Sequence, residues 1–553
     1  MIILNHSEKA TLLSTATEDS INIFCQFFLP RTEDRLAEIR ACLWRNAENA
    51  AVAKIYLLNE RIYTAEELGG VSDKIVQVDV SRRLRFSDVF DYISTEGIKG
   101  YNVIVNSDIF VDKTIDRLRS TTLHATKSMM ALLRYEWNSG DPKLFGPRMD
   151  SQDTWIIHSN FTPTTSQRSA FAFEFGRPGC DNKLTYLMII LGYTVINDPS
   201  LIRTYHVHRE TARDYTIQDR VPPPYAVVVP YGYPTAAITP ALGINLKDLA
   251  PRTKGFTEIR HEDNRVLYNY IQDKLDEGRK FLIPRIAGIE NNFAIFGEIC
   301  KRSGHVDPQI AQYFAQVNGA MKNNAGVRMT SEASIMKYSE LYVAALDNAE
   351  LIGGWELYGT YYPHIRTSYD YVRKKYQKPT FFWTFAMDIF HYIHSLPWTH
   401  ALRGQRLLIV SAFADSINAM LADRAKIYGI DLFPDCTITT IKPPQTQAAE
   451  PSREFDVELA EFCERLDAIK GTYDVALVAC GGYGNLVCNH IYTTGHSAIY
   501  VGGVLQMYFG ILGERWLRER PDIVTLYLNE WWRRPSDAEK PRNFQAVEGS
   551  CFW

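Results

Sequence analysis

The order of apolar and polar positions divides the chain in two. Through the first 215 residues, short apolar runs alternate with amphipathic ones: Ile21–Phe28, Ala53–Leu58 and Lys74–Val80 read as strands and Glu33–Asn49 as a helix. Phe86–Glu96 reads as a helix because Phe86, Val89, Phe90 and Ile93 share one face. The run Tyr101–Val105 then ends in Asn106-Ser107-Asp108, as expected of a buried parallel strand that delivers a carboxylate to the carboxyl edge of its sheet. Ser128–Tyr135, Asp153–His158 and Tyr193–Asn197 read as further strands, and Asn182–Leu191 as a helix after the turn Gly176–Asp181. Such βαβ alternation predicts a mostly parallel sheet.

From Val221 the pattern breaks. Val221-Pro-Pro-Pro-Tyr and Val229-Pro-Tyr-Gly-Tyr-Pro pack proline and glycine too densely for regular elements, so an inter-domain connection is expected over 216–262. Alternation restarts beyond it. Apolar runs at Phe281–Gly288, Ala349–Gly354, Thr380–Phe385, Arg406–Ser411, Cys436–Ile441, Asp474–Ala479 and Ser497–Gly502 predict seven strands of a doubly wound sheet over 263–553. No repeat of 20 to 50 residues is visible, which excludes solenoids and propellers.

Composition narrows the class. At 553 residues the chain exceeds what one core usually supports, and 46 % apolar with 22 % charged residues is the balance of a globular protein. The formal charge of −4 gives no reason to expect nucleic acid. Nine cysteines form no CxxC pair and are odd in number, so neither a disulfide framework nor a zinc ribbon is indicated and a reducing cytosol fits. Met1–Lys9 lacks the basic and apolar regions of a secretory signal, and no apolar run reaches the roughly 20 residues of a membrane span. The expectation is a soluble cytoplasmic protein that reaches acceptors from the aqueous side, including any held at a membrane surface.

In the first half, Asp108 and Asp112 end the apolar run described above. An Asp there serves an Asx turn or helix cap as readily as a metal. Two further features bear on the choice. In Thr204-Tyr-His206-Val-His208, period-two alternation puts both imidazoles on one side, where one could complete a metal site with oxygen ligands. In Gly179-Cys-Asp181-Asn182 a tight turn presents a carboxylate at a helix start, either as a cap or as a general base toward an acceptor hydroxyl.

The series Asn106-Ser-Asp108, Ser151-Gln-Asp153-Thr-Trp, Gly179-Cys-Asp181-Asn and His206-Val-His208 resembles a GT-A glycosyltransferase domain. The resemblance implies that an Asp-x-Asp motif binds manganese or magnesium and the diphosphate of a nucleotide sugar. It implies too that a late His joins the metal and that a later carboxylate, Asp153 or Asp181, acts on the acceptor. Asn106 stands where the motif has its first Asp, so Asp108 alone carries over as the carboxylate, with His206 and His208 as the remaining metal ligands.

In the second half, Phe281-Leu-Ile-Pro-Arg285-Ile-Ala-Gly288-Ile-Glu290 runs an apolar strand into a cation and a carboxylate, and Cys480-Gly481-Gly482-Tyr-Gly484 follows another strand. Glycines between strand and helix let backbone N–H groups approach a phosphate. Together these resemble the GT-D glycosyltransferases, whose first strand ends in Arg-Phe-Gly-Asp-Gly-Glu. Arg285 and Glu290 keep that spacing, and Gly288 replaces the Asp of the metal motif. The two resemblances imply a bifunctional glycosyltransferase of glycan or glycolipid assembly, with a GT-A-like mixed sheet followed by a GT-D-like doubly wound sheet. A single active domain with a degenerate glycan-binding or scaffolding partner is the alternative. A methyltransferase reading of the Gly481–Gly484 turn lacks an acidic residue at the end of the following strand.

Overall fold

The computed structural model describes residues 18–137, 142–146, 148–208, 216–230, 261–286, 288–354, 363–377, 380–547 and 549–553. The chain forms two compact units, Met1–Glu258 and Ile259–Trp553. Of the expected connection, 231–260 lies outside the described residues, as does Met1–Lys9. Residues 216–230 pack on the first unit: the N–H groups of Val221, Ala226 and Val228 donate to the carbonyls of Pro178, Asn182 and Met149 at 3.0–3.1 Å, and Tyr225 is buried. Proline there removes regular structure but leaves apolar side chains to bury.

The first unit is built on one seven-stranded sheet: β1 (Ile21–Cys25), β2 (Lys54–Asn59), β3 (Ile75–Asp79), β4 (Tyr101–Val105), β6 (Ser128–Leu132), β9 (Thr154–His158) and β10 (Thr194–Ile196). Their order is β10-β6-β9-β4-β1-β2-β3, parallel except for β9. β4 lies between β1 and β9 and is buried along its whole length, which is why it reads as an unbroken apolar run. Because β9 runs the other way, its first residues meet the carboxyl end of β4: Val105 pairs with Thr154, and Asn106 N–H donates to Asp153 O at 3.2 Å.

A second, four-stranded sheet stands at that edge. It comprises β5 (Ile109–Val111), β7 (Tyr135–Glu136), β8 (Lys143–Leu144) and β11 (Thr204–His206), in the order β5-β11-β7-β8. Helix α1 (Glu33–Glu48) is capped by Thr32, whose hydroxyl accepts from Arg35 N–H, and carries Glu33 and Asp34 in its positive first turn. Leu36, Ile39, Leu43 and Ala47, at helical spacing, enter the core of the first sheet.

In the second unit β12 (Leu282–Ile283), β15 (Arg406–Ser411), β16 (Thr437–Ile441), β17 (Val475–Ala479) and β18 (Ser497–Tyr500) form one parallel sheet, ordered β12-β18-β17-β15-β16. All seven expected runs form strands, but β13 (Leu351–Gly354) and β14 (Thr380–Trp383) make a separate parallel pair. A single bridge between Arg285 and Gly353 joins that pair to the end of β12. Pro284 faces β13, its carbonyl accepting from Gly353 N–H at 2.9 Å, but it has no N–H to donate to that strand, so pairing of β12 with β13 is confined to the one bridge. The strand order reverses between β15 and β17, the place where open α/β sheets bind ligands. Among the described residues no helix is long and apolar enough to cross a membrane.

Candidate functional site

In the first unit, sheet register assembles a charged cluster at the carboxyl end of β4. The turn Asn106-Ser107-Asp108 leads into β5, and β11 pairs antiparallel with β5 so that His206 lies opposite Ile109, next to Asp108. On its other side β11 runs parallel to β7 with His206 opposite Glu136. The Asp108 carboxylate, His206 and His208 each offer a ligand atom, and these atoms all lie within 4.8 Å of one another. The two imidazoles stack with centroids 5.0 Å apart and planes 18° apart, so alternation does put them on one side.

Each member of the cluster has a partner. Asp108 Oδ2 accepts from Arg35 Nη2 at 2.6 Å and lies 3.1 Å from His206 Nε2, while His206 Nδ1 faces Glu136 Oε2 at 3.0 Å. Arg134 Nε donates to Glu136 Oε1 at 2.8 Å and its Nη1 donates to Asp153. Burial would raise the Asp108 carboxyl, but His206 and Arg35 outweigh it and hold the group far below the usual carboxylate range. Burial would lower the His206 imidazole, yet Asp108 and Glu136 push it up to about 9. Glu136 is brought down to about 2, burial being outweighed by His206 and Arg134.

The donor set suits a divalent ion. One hard carboxylate oxygen with two borderline imidazole nitrogens suits a first-row divalent ion: the imidazoles favour zinc or iron, and the carboxylate accommodates manganese. Glu136 holds His206 as carboxylates hold metal-bound histidines, turning Nε2 toward Asp108. Asn106 is outside the ligand set: its Nδ2 donates to Asp153 Oδ1 at 2.8 Å.

Beyond helix α2 (Phe86–Thr95), Asp181 occupies the first turn of helix α3 (Cys180–Ile190). Gly179 permits that start, with φ of 79° and no room for a Cβ beside the Tyr225 ring. Asp181 Oδ2 accepts from Gln152 N–H at 3.2 Å. Burial first and the neighbouring Asp153 second push its carboxyl up to about 7, where a general base works at neutral pH. Asp153 itself is held by Asn106 and Arg134. The sequence reading missed Arg35, Arg134 and Glu136. Glu136 could have been found as the acidic residue ending the run Ser128–Tyr135; Arg35 pairs across 73 positions and leaves no local signal.

The second unit holds a cavity of about 760 Å³ at the carboxyl edge of its sheet, within the range of small-molecule sites. Arg285, Gly288 and Glu290 line it, with Ser411 at the end of β15, Gln447 after β16 and Gly481 after β17. Asn485 clamps the Arg285 backbone, accepting from its N–H at 3.0 Å and donating to its carbonyl at 2.9 Å. Arg285 Nη1 donates to Val501 O at 2.7 Å. Glu290 stands in the third position of the helix Gly288–Ser303, where the helix dipole favours a carboxylate.

The Gly481–Gly484 turn departs from the expected phosphate cradle. Its N–H groups at Gly482, Tyr483 and Gly484 donate to Ala325, Cys480 and Gly481 carbonyls, and Gly482 and Gly484 do not line the cavity. Their small size serves packing: a Cβ on Gly482 would collide with Val327 and one on Gly484 with the Tyr500 ring. The hydroxyls of Tyr500 and Tyr338 donate to the Gly481 and Gly482 carbonyls at 2.8 and 2.9 Å.

No family model matches this chain, and no curated protein does. Solved structures with parts similar to it include GalNAc-T7 with UDP, GalNAc and Mn2+, at 8 % identity and TM-score 0.27, over 35 % of this chain and 44 % of that one. The mannosyltransferase PcManGT from Pyrobaculum calidifontis, in complex with GDP-Man and Mn2+, matches at 10 % and 0.24 over 38 % and 64 %. A glycosyltransferase (DUF1792) from Streptococcus sanguinis matches at 11 % and 0.24 over 49 % and 94 %. The matched regions span less than two thirds of the first two chains. At these identities and TM-scores, nothing about this chain's chemistry follows from them.

Proposed function

We propose that the chain is a glycosyltransferase that moves a sugar from a nucleotide-sugar donor to a hydroxyl of a glycan or glycolipid, with a donor site in each unit. The observation that carries this reading is the Asp108, His206 and His208 cluster, on the same sheet edge as a carboxyl tuned to about 7. Manganese bound at the cluster would supply positive charge to the departing diphosphate. Asp108 and the two imidazoles would hold it, and Glu136 fixes the imidazole that faces Asp108. Asp181 takes the acceptor hydroxyl proton as the new carbon–oxygen bond forms and the sugar–phosphate bond breaks, its electron pair leaving with the diphosphate. Burial, and after it the neighbouring Asp153, keep the Asp181 carboxyl basic enough to do so.

In the second unit, Arg285 supplies a fixed cation and Glu290 a carboxylate in a cavity large enough for a nucleotide sugar. With glycine at 288, that site holds one carboxylate where a metal motif has two, which favours a second reading in which this unit binds its ligand without turning it over. Transfer assays of the full chain against a panel of nucleotide sugars separate the two. Under the bifunctional reading Asp108→Ala removes one transfer activity and Glu290→Ala removes another. Loss of the same single activity in both variants contradicts it, and a Glu290→Ala variant with every activity intact leaves the second unit as a binding module.

A further inference from the structure

We infer that Phe552 is the platform on which the nucleobase of the donor stacks in the second unit, an inference that rests on the proposed nucleotide-sugar site there. The segment Cys551–Trp553 is built into the wall of the cavity. Arg515 N–H donates to Cys551 O at 2.8 Å, Gln506 Nε2 to Phe552 O at 3.2 Å, and Arg534 Nη1 to Trp553 O at 3.1 Å. The buried Trp553 anchors it from behind, its indole N–H donating to Glu539 O at 3.2 Å and its ring edge-on to Phe413 at 6.0 Å. The segment thus crosses from the end of β15, at Phe413, to the turn after β18, at Gly503.

Between these anchors the Phe552 ring is half-buried and lines the cavity, while Cys551 and Trp553 on either side are buried. Its seat is specific. Gly503 lies so close to the ring edge that any Cβ there would collide with it. The Arg515 guanidinium carbon lies 4.9 Å from the ring centroid, covering one face. A flat aromatic ring on the cavity wall, fixed by a cation over it, suits stacking by a planar nucleobase, every one of which has a π-face. Arg285, with its guanidinium beside Gly502, supplies the charge for the diphosphate on the neighbouring wall.

The test uses the full chain carrying Asp108→Ala, which silences the first unit, and calorimetric titration with UDP, GDP, ADP and inorganic pyrophosphate. Base–aromatic stacking is worth about 1–3 kcal/mol, so Phe552→Leu should weaken the preferred nucleoside diphosphate by roughly ten-fold or more while leaving pyrophosphate affinity unchanged. Phe552→Tyr should bind as the parent does. Thermal unfolding of each variant reports whether the wall still folds. Equal nucleotide affinity in parent and Phe552→Leu overturns the inference, as does a parallel loss of pyrophosphate binding. A parent chain that binds none of these ligands overturns the donor site of the second unit itself, a separate outcome from either.

Discussion

Arg35 Nη2 sits 2.6 Å from Asp108 Oδ2, the same oxygen that faces His206 Nε2 at 3.1 Å. A divalent ion taking that oxygen must compete with two cations. Replacing Arg35 with Met removes one competitor and keeps the stem that packs at the start of α1. Manganese affinity should rise on the order of ten-fold, as 1.4 kcal/mol of relieved competition would give. Calorimetry of Arg35→Met against the parent checks this, and unchanged or weaker binding would show that Arg35 does not oppose the ion.

Asp181 gives a pH prediction of definite sign. Its folded carboxyl titrates at about 7, against about 3.9 for an unfolded Asp. Below pH ~4 both states keep the proton. Between these values the unfolded chain releases its proton while the folded one holds on, so this group erodes stability as pH rises, and above 7 the cost is constant. Asp181→Asn should therefore gain stability relative to the parent from pH 4 to 7, by at most about 4 kcal/mol. Its transfer activity should be lost, whereas the parent's kcat/KM should climb through pH 7. Denaturant melts across pH and the rate profile check both halves.

Gly288 faces open cavity: a Cβ there would meet nothing within 4 Å. Gly288→Asp should therefore fold normally and place a second carboxylate two positions before Glu290. The variant should bind manganese in its second unit more tightly than the parent does, read by titration in the Asp108→Ala background. Failure to bind manganese would mean that Glu290 points away from position 288.

Gly484→Ala tests the packing role given to the glycine-rich turn. The added methyl would strike the Tyr500 ring, and overpacking of a tight core costs about 1–3 kcal/mol. Urea unfolding should show that loss. A neutral result would return the turn to ligand binding.

These sites differ in how far the residues announce them. β4, β12, β15, β17 and β18 are legible because burial on both faces demands apolar runs, whereas the edge strand β16 is exposed or half-buried along its length and shows itself by its β-branched residues. The stacking of His206 on His208 follows from period-two alternation. Long-range register is what local pattern lacks: Glu136 meets His206 only because β7 and β11 run side by side, and Arg35 reaches Asp108 from a helix whose apolar face alone is visible in sequence. The split of β13 and β14 from the main sheet turns on Pro284, a residue whose missing N–H matters only once the neighbouring strand is known. The glycines of 481–484 look like a phosphate cradle because tight packing and close ligand approach demand the same residue.

The central claim is that Asp108, His206 and His208 hold one manganese ion. Pulsed electron paramagnetic resonance of Mn2+ titrated into the full chain at about pH 9.5, above the His206 titration near 9, tests it directly. The account predicts saturable binding with imidazole nitrogen coupling that weakens in His208→Ala and disappears with His206→Ala and His208→Ala combined, while Asp108→Ala weakens the ion itself. Bound manganese without nitrogen coupling, or coupling that survives loss of both imidazoles, would contradict it.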